Sequence, residues 1–283
     1  MSGSQAADPP KRPVLFVNPR SGGGKAARAG LAEQARERGI DTIVLHPGDD
    51  LAALVRRAVA DGADTLGVAG GDGSLAIVAA AALEHELPFL CVPAGTRNHF
   101  ALDLGVDRHD LVGALNAFTD GVERRVDVAE VNGRLFLNNV SLGIYGDAVQ
   151  QPAYRDAKAR TLLETAIHVL GPSARATDLE LVDNAGRAHR HPAVVLVSNN
   201  PYSLEPPRQP GTRPTLNSGR LGVLVLDPPS RGASTGHTWT TTRVELTGAA
   251  PMHAGIDGEA VELTPPLRFA TRPHAIRVRL PRP

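Results

Sequence analysis

Apolar residues in the first hundred positions fall into two alternating textures. Short runs at residues 14–17, 42–45, 65–69 and 88–92 have the length and composition of buried strands. Between the first two, residues 25–38 place Ala26, Ala29, Leu31 and Ala35 on one helical face and end at Gly39. Residues 51–59 do the same with Leu51, Leu54, Val55, Ala58 and Val59, behind Asp49 and Asp50 as cap residues. A third helical run covers 75–83. Strands alternating with helices predict a parallel sheet with helices on its faces.

The texture changes after about residue 122. Strand-like segments at 127–130 and 135–138 flank Asn132-Gly133, a strong hairpin turn signal. Segments 178–182 and 193–198 flank Asn184-Ala185-Gly186, and 220–226, 242–246, 259–263 and 276–280 read as further strands. This half is expected to be an antiparallel sandwich or barrel. The predicted organisation is a disordered tail at 1–12, an α/β domain at 13–122 and a β-rich domain at 123–283, with the last residues free to return to the first domain. The segment 150–176 interrupts the strand pattern. Its Tyr154, Leu162, Leu163, Ile167 and Leu170 mix with Arg155, Lys158 and Arg160, which reads as an amphipathic helix with a basic end. Such a helix packs on a sheet or touches a membrane surface.

Charge and composition narrow the partners. Lys plus Arg and Asp plus Glu both total 30, so no field favours a polyanion, and aromatics at 4% supply no stacking platform. A nucleic-acid role is therefore not expected. No apolar run nears the ~20 residues that span a bilayer. The polar, Pro-containing start lacks the apolar segment of a secretory signal, so a cytoplasmic location is expected, peripheral at the inner membrane face if 150–176 meets lipid. The single cysteine, Cys91, excludes an internal disulfide or a Cys-based zinc site and reads as a core residue. His189 and His191 share a face of a strand, but no acidic or cysteine partner is evident in sequence, so no metal is assigned there. The strand-rich half leaves an edge-to-edge homodimer open.

Three glycine-bearing loops carry the candidate chemistry. The first is Asn18-Pro19-Arg20-Ser21-Gly22-Gly23-Gly24-Lys25, between a strand and a helix. Glycines let backbone approach an anion, and a helix N-terminus attracts one. It is not a Walker A loop, because Ala26 follows Lys25 where a hydroxyl would be required. Alone, it reads equally well as a tight turn. The second, Gly70-Gly71-Asp72-Gly73-Ser74, also follows a strand, where open parallel sheets place ligands. An acid among glycines repels phosphate unless a cation lies between them, which points to Mg²⁺ at Asp72 with a nucleotide. A plain turn with Asp72 as helix cap is the alternative. The third, Pro93-Ala94-Gly95-Thr96-Arg97-Asn98-His99, lies at the same edge, with Gly95, Thr96 and Asn98 as nucleotide contacts.

These loops, in this order, resemble the diacylglycerol kinase catalytic-domain family, which includes bacterial soluble lipid kinases and sphingosine kinases and is related to NAD kinases. The family's marks are Asn-Pro-x-Ser-Gly, Gly-Gly-Asp-Gly-Thr and Pro-x-Gly-Thr-x-Asn. Here they stand as Asn18 to Gly22, Gly70 to Ser74 with Ser for Thr, and Pro93 to Asn98. The likeness continues at Asp127-Val128-Ala129, at Phe136 to Asn139 with Gly143, and at Asp257-Gly258-Glu259. It implies ATP held by the three loops with Mg²⁺, and an active site in the cleft between two domains. It also implies Asp257 as general base supported by Glu259, Asp127 as a substrate- or water-orienting acid, and a lipid hydroxyl as acceptor. Three positions depart from the pattern. His99 stands where the family has Asp, which makes it a candidate acceptor-site residue. Leu102 stands where Arg is common, and Asn217-Ser218-Gly219 where some relatives hold a structural Mg²⁺ through an Asp-Gly pair. A kinase for a soluble acceptor and a non-catalytic nucleotide binder are the competing readings.

Overall fold

The computed structural model describes residues 5–96, 98–143, 176–203, 212–228 and 236–282. Nearly all of the expected amphipathic segment at 150–176 lies outside the described residues. The chain divides into two compact units, Met1–Val126 with His274–Pro283, and Asp127–Pro273.

In the first unit, strands β2 (Pro13–Val17), β3 (Asp41–Val44), β4 (Thr65–Ala69) and β5 (Phe89–Val92) form a parallel sheet in the order β5-β4-β2-β3. Every residue of β2, β4 and β5 is buried, which explains their uninterrupted apolar runs. Helices α1 (Lys25–Arg28), α2 (Leu31–Glu37), α3 (Leu51–Ala60) and α4 (Asp72–Glu84) connect them. Asp50 caps α3 by accepting from the Ala53 N–H at 3.1 Å, as its position in sequence suggests. The single helix expected at 25–38 is two, because Gly30 takes a left-handed φ of 55° between them. Asp72 was expected in a loop but is the first residue of α4.

Short helices α5 (His99–Asp103), α6 (Leu111–Ala114) and α7 (Asn116–Thr119) complete the α/β part. Phe118 of α7 packs against β4 where Gly67 leaves room, since a Cβ there would lie 2.5 Å from its ring. The expected disordered tail is partly a strand. Segment β1 (Gln5–Ala7) pairs antiparallel with the start of β6 (Gly121–Val131), Gln5 opposite Glu123. Two long-range bonds tie it down: Arg279 Nη1 donates to Asp8 O at 2.9 Å, and the Lys11 N–H donates to Asp64 at 2.7 Å. Neither is visible in local sequence. The end of the last strand, β17 (Leu267–Pro281), lies parallel to β5 with Val278 opposite Phe89.

The second unit is β-rich and antiparallel. One sheet contains β9 (Leu179–Val182), β10 (Ala188–Arg190), β14 (Arg243–Gly248) and the beginning of β17, in the order β10-β9-β14-β17, and β6 continues into β7 (Arg134–Phe136). The other runs β13-β12-β11-β8-β15-β16, with β8 (Asn139–Gly143), β11 (Val194–Asn199), β12 (Leu221–Leu226), β13 (Gly236–Thr241), β15 (Met252–Ile256) and β16 (Glu259–Leu263). Residues of both sheets share one core, in which Phe136 and Phe269 meet edge to face at 6.3 Å.

The β6–β7 hairpin turns at Asn132-Gly133, as its sequence predicts, with φ of 48° and 80°. The expected pairing of 178–182 with 193–198 is replaced by the β9–β10 hairpin, while β11 pairs with β8 and β12. Ala188-His189-Arg190 buries only His189, so it gives no apolar alternation to read. The same holds for β13, whose Gly-His-Thr-Trp-Thr-Thr is mostly half-exposed.

Candidate functional site

Strands β2, β4 and β5 are neighbours and parallel, so their carboxyl ends emerge at one edge of the sheet. The three glycine loops therefore meet there. The first is stitched to the end of β4 by the Asn18 N–H, which donates to Ala69 O at 2.9 Å. Pro19 and Ser21 sit in its first turn, closed by the Ser21 N–H to Asn18 O at 3.2 Å. Gly22 has φ 56°, and a Cβ on it would lie 2.3 Å from Ala94 O. A Cβ on Gly95 would lie 2.8 Å from Gly71 Cα and 3.0 Å from Gly70 O. First loop touches third and third touches second, backbone on backbone, and a side chain at either glycine would force them apart.

Charge and helix ends add to this cradle. Lys25 Nζ, half-buried, reaches Gly95 O at 3.4 Å and so bridges the first and third loops. Gly71 precedes α4 without a side-chain cap, and Asp72, Gly73 and Ser74 form its first turn. The N–H groups of a first turn have no partner inside their helix and favour an anion. Asp72 places a carboxylate at the same point. Its charge is felt at Cys91 on the neighbouring strand, where burial, chiefly, and then Asp72 push the thiol up to about 12. Cys91 is inert core, as its setting in the sequence suggests.

One third-loop residue differs from expectation. Asn98 was expected to read the nucleotide, but it is buried with φ 54°, and its amide nitrogen donates to Pro93 O at 3.0 Å and Gly95 O at 2.9 Å. It shapes the loop that presents Gly95. Thr96 is exposed, and His99 opens α5.

In the second unit, Asp257 occupies the β15–β16 turn with φ 49° and is buried. Its Oδ2 accepts from the Leu137 N–H at 2.8 Å, and Oδ1 accepts from the N–H groups of Asn138 and Asn139 at 2.7 and 3.1 Å. Burial raises its carboxyl above the usual range, opposed by those three N–H groups and by the charge of Arg213. Glu259, expected to support Asp257, pairs with Ile256 through its backbone in β16, while its exposed carboxylate forms no hydrogen bond or ion pair among the described residues. Arg213 takes that place. Its guanidinium is buried and donates to Leu137 O, to Asn199 O at 2.9 Å and to Asn138 Oδ1 at 2.7 Å, gripping the segment that holds Asp257.

Asp127 is fully buried, and Oδ2 accepts from the Gly219 N–H at 2.7 Å. The 217–219 stretch is held there by protein groups, since Asn200 Oδ1 accepts from both the Ser218 N–H and its hydroxyl. Arg213 and Asn199 were not singled out from sequence. Arg213 ends a Pro-rich loop and Asn199 ends an apolar strand, and neither setting signals a partner.

The family sequence model of the diacylglycerol kinase catalytic domain matches residues 12–131. The chain is 29% identical over 95% of its length to a probable lipid kinase YegS-like of Pseudomonas aeruginosa, covering 94% of that protein. It is 26% identical to a diacylglycerol kinase of Bacillus subtilis, over 76% of this chain and 74% of the relative. Among solved structures, a putative diacylglycerol kinase from Bacillus anthracis str. Sterne superimposes with TM-score 0.71 at 18% identity, over 96% of this chain and 98% of that one, which supports the fold. The chain is a kinase-type phosphotransferase of the lipid-kinase class. Residues 12–131 carry the likeness to the diacylglycerol kinase catalytic domain.

Proposed function

We propose that this kinase transfers the γ-phosphoryl group of ATP to a hydroxyl of a lipid, such as diacylglycerol or a sphingoid-like lipid. The observation that carries the reading is the mutual contact of Gly22, Gly95 and Gly70-Gly71 at the carboxyl edge of β2, β4 and β5. Such a cradle suits phosphates, which need bare backbone N–H groups. Residues Asn18 to Gly22, Lys25, Gly70 to Ser74, Gly95 and Thr96 would hold the nucleotide. The Asp72 carboxylate is a hard oxygen donor of the kind Mg²⁺ prefers, and Mg²⁺ would neutralise charge on the phosphates.

Asp257 is the general base. Its Oδ2 takes one N–H bond among the described residues, leaving capacity for the acceptor proton. As the acceptor oxygen bonds to the γ-phosphorus, the bond to the bridging oxygen of ADP breaks and ADP leaves. Asp127 and His99 would shape the acceptor side. A lipid acceptor requires peripheral contact with a membrane, and among the described residues no helix is long and apolar enough to cross one.

The test is transfer from γ-labelled ATP with Mg²⁺ to a bacterial lipid extract and, in parallel, to a water-soluble metabolite extract. Label in the lipid phase, abolished by Asp72→Asn, is the expected result. Label confined to the aqueous phase would replace the lipid with a soluble acceptor, and transfer to neither would leave a nucleotide-binding protein.

A further inference from the structure

Within the second unit, the β9–β10 and β12–β13 hairpins bring together three potential metal ligands. A ring nitrogen of His189, a ring nitrogen of His237 and a carboxylate oxygen of Asp227 all lie within 4.8 Å of one another. They come from β10, β13 and the residue following β12. Strands β10 and β13 stand last in their respective sheets, so the cluster joins the edges of the two layers that share the core. We propose that His189, His237 and Asp227 bind a divalent transition metal, zinc above all, which staples these two edges together.

The surroundings are those of a built site. His189 is buried, and its ring stacks on Trp239 at 5.4 Å and 11° and touches that of His237 at 5.0 Å. The imidazole is thus fixed before any ligand arrives. Its Nε2 meets Asp183 Oδ2 at 3.2 Å. A carboxylate accepts in such a contact, so the tautomer that suits it carries the proton on Nε2 and leaves the Nδ1 lone pair for a metal. A carboxylate that fixes the tautomer of a ligating histidine is the usual outer partner of a metal site. Two imidazoles and one carboxylate are the donors zinc takes when it keeps one position open for water.

Asp227 lies 3.3 Å from His237 Nε2, close to the ~3.3 Å between two ligands of a tetrahedral zinc with bonds of ~2.0–2.1 Å. The separations to the fixed His189 ring stay within 4.8 Å, so the half-buried His237 and Asp227 would draw toward it as the metal binds. One group opposes the metal. Arg187 Nη1 lies 3.4 Å from His237 Nδ1, and an arginine only donates. Zinc on Nε2 puts the proton on Nδ1 and expels Arg187, whose exposed side chain is free to leave. Metal and Arg187 therefore compete.

The test is equilibrium dialysis of zinc-free full-length protein against Zn²⁺, with melting measured alongside. The expected result is one Zn²⁺ per chain and a melting temperature that rises with zinc concentration. Asp227→Asn and His237→Ala should each weaken that binding at least tenfold, while His191→Ala, outside the cluster, should leave it unchanged. Arg187→Ala should tighten it. If an altered ligand abolishes cooperative melting, Arg187→Ala decides alone: unchanged or weaker affinity overturns the proposal. Binding that persists undiminished in folded Asp227→Asn and His237→Ala, or no binding at 1 Zn²⁺ per chain, also overturns it.

Discussion

Around the ends of β2, β4 and β5 the polar surface of the first unit is mostly backbone. Gly22, Gly70, Gly71 and Gly95 touch with nothing between them. In the second unit, polar atoms are buried side chains: Asp127, Asn138, Asn199, Arg213 and Asp257 sit in the interior and satisfy one another or nearby N–H and C=O groups. The first arrangement depends on what is missing, so it fails when an atom is added. The second depends on complete pairing, so it fails when an atom is removed.

The largest expected effect is in the second unit. Arg213→Met removes the guanidinium donor from three buried acceptors, Leu137 O, Asn199 O and Asn138 Oδ1, of which Leu137 O keeps a bond from the Asn199 amide. The loss should be about 3–5 kcal/mol in denaturant unfolding. Folding that survives intact would show that the network is not held by this residue.

Next comes Gly22→Ala. A left-handed φ costs a Cβ-bearing residue about 1–2 kcal/mol, and the 2.3 Å approach to Ala94 O adds to that. Stability should fall by ~3 kcal/mol, and titration calorimetry should find no ATP binding. Gly23→Ala sharpens the contrast, since its φ is 69° but nothing lies within 4 Å of the added Cβ. It should lose about 1–2 kcal/mol and keep its nucleotide.

A smaller effect is a pH dependence. Burial raises the folded carboxyl of Asp257 above its unfolded value. Its contribution to stability is therefore complete below the unfolded value and is lost as pH rises through the folded one. The melting-temperature advantage of the native chain over Asp257→Asn should shrink over that interval. The proposed base role of Asp257 requires its ionised form, so turnover should fall on the acid side of the raised value. The smallest effect is at Cys91: with a thiol at about 12, the native protein should resist alkylation at pH 8 and react only when unfolded.

The same contrast explains what could be read from sequence. The glycine loops are contiguous and follow apolar strands, so Asn18 to Lys25, Gly70 to Ser74 and Pro93 to Asn98 announce themselves. Arg213 and Asn199 act on residues 137–139, more than fifty positions away, and no local pattern marks such partners. Asn98 was found for the wrong reason, since composition shows an amide but not that it turns inward to Pro93 and Gly95. Glu259 is the converse, a carboxylate two residues from Asp257 that stands exposed at the start of β16. The parallel sheet was legible from its apolar runs. Strands β1, β10 and β13 were not, because backbone pairing to another strand rather than their own apolar residues holds them in place.

The most direct measurement is ATP affinity and turnover on the same preparation of Asp257→Asn. The account predicts unchanged ATP affinity, because the glycine cradle lies wholly in the first unit, and turnover lower by about 10²–10⁴-fold, the usual worth of a general base. Full turnover with intact binding would contradict it and remove Asp257 from the chemistry.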